Sequence, residues 1–103
     1  MNPMKMMQQV QKMQADMARI QEELASRTYE ASAGGGVVKA VATGDGNLQS
    51  IMLSPEIVTS GDVEMLQDLI VSAVQEAVKK GREEAQQEIG KLTAGLKIPG
   101  LGF

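Results

Sequence analysis

Apolar residues in the first quarter of the chain fall at Met6, Val10, Met13, Met17, Ile20 and Leu24, in alternating steps of four and three. That spacing holds them on one side of an α-helix for about three heptads, so a helix is predicted over about residues 4–26. Pro3 suits a first helical turn, where a missing N–H costs nothing. Gln8, Gln9, Gln11, Gln14 and Gln21 are sound helix formers between the apolar positions. The seam is rich in Met, whose unbranched thioether fills irregular interfaces. Ordinary helix packing is its plainest reading.

Between Arg27 and Leu53 the period changes. Short β-prone runs, Thr28 to Ala33, Val37 to Thr43 and Leu48 to Leu53, are separated by Gly34 to Gly36 and by Gly44, Asp45, Gly46 and Asn47. Runs of that length bounded by turn residues predict three antiparallel strands in a meander. The middle run is apolar on both sides, with Val37 and Val41 on one and Val38, Ala40 and Ala42 on the other. Such a strand is expected to be covered on both faces.

Ser54 and Pro55 end the strands, and Thr59, Ser60 and Asp62 offer N-cap side chains for a second long helix. It carries Val63, Leu66, Leu69, Ile70, Ala73, Val74, Ala77, Val78, Gly81, Ala85, Ile89 and Leu92. The apolar face is broad up to Gly81 and narrow beyond it, so the first half is expected to pack on the sheet and the second to project. The expected fold is α+β: a long N-terminal helix, a three-stranded antiparallel meander and a long C-terminal helix. One domain over residues 1–94 is followed by GLKIPGLGF at 95–103, which has no periodicity and is expected to be a flexible tail.

Length then bears on assembly. A helix of about 30 residues is about 45 Å long, against about 30 Å for the diameter of a small compact domain. Helices that long protrude or find a partner. A three-stranded sheet also has two edges and little mass to cover them, so a homodimer sharing sheet or helix contacts is expected.

The 103 residues include no Cys and no His. A disulfide framework, a thiolate nucleophile and a thiolate-ligated metal are therefore excluded. The usual neutral-pH proton shuttle is missing too. No Ser has a His to activate it, and no carboxylate pair has an apolar setting that would raise one pKa. An enzyme is not expected, and neither a cofactor nor a small-molecule substrate. Asp45 and Asn47 beside Gly46 resemble a fragment of a calcium loop without the later ligands or terminal Glu. A phosphate loop wants a helix with Lys and Ser or Thr after its glycines, whereas a strand follows the triple glycine and the spacing is absent, so it reads as a turn needing positive φ between two strands. With no export-type or membrane-spanning apolar run, a soluble cytoplasmic protein is expected.

Net charge is −3, but its distribution matters more than its sum. Residues 28–62 carry one base (Lys39) against four acids (Glu30, Asp45, Glu56, Asp62), so the acidic excess lies mainly in the middle. Lys5, Lys12 and Arg19 recur every seven residues and form one stripe beside the apolar seam. The alternative is ordinary pairing, Lys12 with Asp16 and Arg19 with Glu22 or Glu23. Lys79, Lys80 and Arg82 crowd one turn of the second helix. Lys79 has Glu83 four residues on and Lys80 lies between Glu76 and Glu84, whereas Arg82 has no acid three or four residues away. Tyr29 and Phe103 are the only aromatics, so there is no platform for stacking exposed bases. Duplex DNA held by its phosphates needs only placed Lys and Arg.

The run Gly34, Gly35, Gly36, Val37, Val38, Lys39, then Ser54-Pro55, then Glu64, Leu66, Asp68, Leu69, Ile70, Ala73 and Ala77 resembles the YbaB/EbfC family of bacterial nucleoid-associated proteins. The Met- and Gln-rich first helix and Leu92, Thr93, Ala94, Gly95 extend the resemblance over nearly the whole chain. Ser54 stands where the family often has an acidic residue, and Gln75 where Asn is common. The resemblance implies a homodimer built through the central strands, with long helices extending like pincers and duplex DNA bound through them. Lys5, Lys12, Arg19, Lys79, Lys80 and Arg82 are then the candidate phosphate-binding residues, in a nucleoid role without a reaction. The alternative is a protein-interaction adaptor docking through the Met-rich seam without direct DNA binding.

Overall fold

A computed structural model describes residues 2–94 of the chain. Helix α1 spans Pro3–Ser26, and Asn2 caps it by accepting the Met4 N–H at 3.0 Å. Strand β1 (Thr28–Ala33) follows after Arg27, then a tight 3₁₀ turn through Gly34–Gly36. All three of these glycines have positive φ, at 64°, 73° and 99°, a region that side chains disfavour. Strands β2 (Val38–Thr43) and β3 (Leu48–Leu53) complete an antiparallel sheet of order β1-β2-β3, the meander expected from the run lengths. Val37 caps the glycine turn in αR geometry rather than opening β2.

The sequence reading missed one element. Helix α2 (Pro55–Thr59) starts where a strand was expected merely to end. Pro55 occupies its first turn, Ile57 is buried, and the Thr59 hydroxyl donates to the Pro55 carbonyl at 3.1 Å. Ser60 also turns back, donating to the Ile57 carbonyl at 2.8 Å. Of the three expected caps, Asp62 is the one that serves helix α3 (Val63–Ala94), accepting the Met65 N–H at 3.0 Å.

Small residues set the packing between helix and sheet. Val38, Ala40 and Ala42 of β2 and Ala73 and Ala77 of α3 are completely buried, with Ala31 of β1 beside them. Ala31 lies opposite Ala40 in the ladder, and α3 crosses this alanine-lined surface at close range. One turn further on, a Cβ on Gly81 would stand 2.8 Å from the Thr43 carbonyl oxygen, so backbone meets backbone there. The other side of β2 differs from expectation. Val41 is only half-buried and Lys39 is exposed, and Lys39 pairs across the sheet surface with Glu30 at 3.9 Å. Within one chain, therefore, β2 is fully covered on one face alone.

Strand β3 is exposed along its whole length. Leu53 and Ile51 pair with Val38 and Ala40, and Leu48 pairs with Ala42 after a bulge. Directly opposed residues share a face, so these three belong to the helix-bearing side of the sheet. Helix α3 lies over β1 and β2 and leaves them open, with Leu48 45%, Ile51 39% and Leu53 38% exposed.

The described chain measures 68 × 24 × 16 Å, with a radius of gyration of 19.7 Å, against about 13 Å for a compact 100-residue domain. Its length fixes the course of the two long helices. Gly44 accepts no side chain because Leu24 is packed on it, and the Gly44 N–H donates to the Leu24 carbonyl at 2.9 Å. A Cβ on Gly81 would stand 3.5 Å from the Gly44 Cα, so Leu24 is level with Gly81. Arg27 reaches Glu84 at 4.0 Å and Glu88 at 3.6 Å. Helix α3 alone is about 48 Å long, and a 68 Å axis requires α1 to run on beyond its C-terminal end. Burial agrees: Leu24 and Ile20 are buried, Met17 and Met13 half-buried, and Val10 and Met6 exposed. The second half of α3 and all of α1 thus project together from the sheet.

Candidate nucleic-acid interface

The six candidate cations do not form one surface. Lys5 and Lys12 lie exposed on α1, about 10 Å apart along the helix axis, and neither has an ion pair among the described residues. Arg19 continues the stripe but is paired, with Glu23 at 3.3 Å and Asp16 at 3.9 Å. Asp16 is thus taken by Arg19 rather than by Lys12.

On α3 the three bases separate. Lys80 turns to the sheet, donating to the Glu30 carbonyl at 2.9 Å. Arg82 is two residues later, about 200° around the helix, and its Nε reaches the β2–β3 turn, 4.0 Å from where a Cβ on Gly46 would stand. With Lys79, Gln75, Gln86, Val74, Val78 and Glu83 it lines an open groove of about 410 Å³. Neither Lys79 nor Arg82 has an ion pair among the described residues. Sequence spacing singled out Arg82 as free of acids, and its placement agrees. The outward-turned glutamines Gln75 and Gln86, which can donate hydrogen bonds to phosphate, were not singled out.

Arg27 is the basic residue that braces the arms. It touches Glu23 of its own helix and Glu84 and Glu88 of α3. Its pKa is raised above the ordinary arginine value, chiefly by the adjacent Tyr29 hydroxyl, which outweighs desolvation, with smaller help from Glu88 and Glu23. The Tyr29 oxygen itself is buried and meets no partner at full hydrogen-bond geometry.

The β2–β3 turn uses its polar groups internally. The Thr43 hydroxyl donates to the Asp45 carboxylate, Asn47 Nδ2 donates to Asp45 at 3.2 Å, and the Asn47 N–H donates to Thr43 Oγ1 at 3.2 Å. Among the described residues no group of acidic side chains is arranged to hold a metal ion. No helix there is long and apolar enough to cross a membrane.

Two outstretched helices carrying exposed cations extend from a small three-stranded antiparallel sheet. Residues 1–96 match the model of the YbaB/EbfC DNA-binding family, and the chain belongs to that family. A nucleoid-associated protein of Pelotomaculum thermopropionicum is 58% identical over 100 residues, covering 97% of this chain and 95% of that one. One from Akkermansia muciniphila is 48% identical over 104 residues, covering both chains completely. The crystal structure of an uncharacterized protein from Helicobacter pylori has the same fold, with a TM-score of 0.80 at 18% identity over 90% of this chain and 98% of that one. Membership makes this a DNA-binding protein rather than an enzyme.

Proposed function

We propose that the protein acts as a homodimer in the bacterial nucleoid, holding duplex DNA by its phosphates and so contributing to nucleoid organisation or gene regulation. The family and the relatives' names support DNA as the ligand. The observation that carries the mode of binding is the placement of Lys5, Lys12, Lys79 and Arg82, all exposed and without protein counter-ions among the described residues. Phosphates would neutralise them at little desolvation cost, and contacts of this kind position DNA without reading bases. Arg19 and Lys80 contribute less, because each must first leave a protein partner.

Dimerisation draws its support from β3. An edge strand with an open ladder and four exposed apolar side chains, Leu48, Ile51, Met52 and Leu53, is a template for another strand or helix, and a second copy covers it by twofold symmetry. The pairing doubles the four cations and sets two pairs of arms on one body. Exposed acids among them, such as Glu22 and Glu83, restrict the paths that DNA can follow and keep the affinity modest.

A mobility-shift titration of a duplex over a series of salt concentrations tests the reading. Affinity is expected to fall linearly on a log–log plot, with a slope of about −0.9 per phosphate neutralised. No binding at low salt, or binding indifferent to salt, refutes it.

A further inference from the structure

The unpaired cations of the arm lie on opposite flanks, and the ion pairs at its base fix which is which. Glu23 of α1 pairs with both Arg19 and Arg27, and Arg27 reaches on to Glu84 and Glu88 of α3. The stripe of Lys5, Lys12 and Arg19 therefore stands on the side of α1 that turns toward Glu84 and Glu88. Lys80, one turn before Glu84, shares that side and donates to the Glu30 carbonyl of β1. Arg82 precedes Glu84 by two residues and stands about 160° around α3 from it. Gln75, Lys79, Arg82 and Gln86 follow one another in steps of four, three and four, and form one exposed row along the groove. On α1 the matching side carries exposed, uncharged Gln14 and Gln21, across the seam from Glu23. Helix α3 is described to Ala94, and the tail expected over 95–103 lies outside the described residues.

The two flanks offer their cations at different heights. With Leu24 level with Gly81, Arg82 stands near the base of the arm, and Lys12 and Lys5 stand about 17 and 27 Å further out. The base of the first flank is acidic, with Glu23, Glu84 and Glu88 gathered around Arg27, which drives a phosphate chain outward to Lys12 and Lys5. The base of the second flank is the groove, where Glu83 is the one acid in the lining and Gln75 and Gln86 add neutral donors. One duplex cannot serve both flanks. DNA has a persistence length of about 150 bp, so it stays nearly straight beside a body 24 by 16 Å in cross-section and lies against one side of it.

We propose that each arm carries two separate duplex-binding faces, one at Lys5 and Lys12 and the other at Lys79 and Arg82 with Gln75 and Gln86, so that a single protomer holds two segments of DNA at once. The inference rests on the proposed function and adds bridging to it. Segments far apart along the DNA are joined through the thickness of one arm, whatever the arrangement of a second copy.

The test follows backbone amide signals of the full chain by NMR at low salt, while a duplex of one helical turn, about 10 bp, is added. The unaltered chain is compared with Lys5→Gln/Lys12→Gln and with Lys79→Gln/Arg82→Gln, all at exposed positions. Signals around Lys5 and Lys12 and signals around Lys79 and Arg82 are both expected to move in the unaltered chain. Each variant is expected to lose the movement on its own flank alone, with the midpoint on the other flank changed by no more than about twofold, as for independent sites, and with the same end-point shift there. Loss on both flanks from either variant means one continuous face and overturns the proposal. Movement confined to one flank overturns it too, as does a larger end-point shift on the surviving flank of a variant, which means that the faces exclude each other. In these three cases DNA binding itself stands. No movement on either flank removes DNA as the ligand, and this inference with it.

Discussion

Lys80 and Arg82 are two residues apart in sequence and point to opposite sides of α3, one bonded to the Glu30 carbonyl and the other beside the β2–β3 turn. If DNA binds on the groove side, Arg82→Ala weakens it over a wide range of duplex sequences and reduces the salt slope by about one contact. Lys80→Ala leaves the slope nearly unchanged. Anisotropy titrations of both variants over a salt series check the difference.

Gly81 and Gly90 lie in the same helix and have opposite expected responses to alanine. At Gly90 an added Cβ meets nothing within 4 Å, so Gly90→Ala gains helix propensity of up to about 1 kcal/mol. At Gly81 the same propensity gain is outweighed, because the Cβ would stand 2.8 Å from the backbone carbonyl of Thr43, which cannot swing aside. Forcing atoms into such a contact costs about 1–3 kcal/mol. Denaturant unfolding is expected to show a raised midpoint for Gly90→Ala and a lowered one for Gly81→Ala.

Arg27 joins the two arms through Glu84 and Glu88. Arg27 is exposed and Glu84 and Glu88 are half-buried, so solvent screens both pairs and each contributes little. Arg27→Gln therefore lowers global stability slightly, and its main effect is local. Amide exchange is expected to speed up in α1 and in α3 beyond Gly81, while the β1–β2 ladder stays protected.

Ile51 shares the helix-bearing face of the sheet with Ala40 yet is 39% exposed. If a second copy covers β3, Ile51→Asp replaces apolar burial worth about 2 kcal/mol per protomer with a charge. Dimer dissociation is then expected at least tenfold more readily. Sedimentation equilibrium reads this directly, and an unchanged association constant removes β3 from the interface.

Much of the architecture was legible because local periods and tertiary packing agree. The four-three spacing from Met6 to Leu24 is helical, and the short runs between glycines are strands. Helix α2 was hidden because five residues are too few to display a period, and Ser54-Pro55 signals a strand end and a helix start equally well. The one-sided cover of β2 was hidden for another reason. Val37 counts toward an apolar face in a run of letters, but the left-handed glycines before it place it in the turn. Within the candidate interface, the heptad stripe of Lys5, Lys12 and Arg19 follows from helix geometry alone. The separation of Lys80 from Arg82 requires knowing which side of α3 faces β1, and no spacing within the helix carries that information.

The elongated form of the chain has a consequence for measuring its assembly. A body nearly three times as long as it is wide, 68 Å by 24 Å, drags far more solvent than a sphere of equal mass. A single copy will pass through a sizing column ahead of its true weight and can masquerade as a pair. Counting subunits therefore calls for light scattering or native mass spectrometry, where shape does not enter.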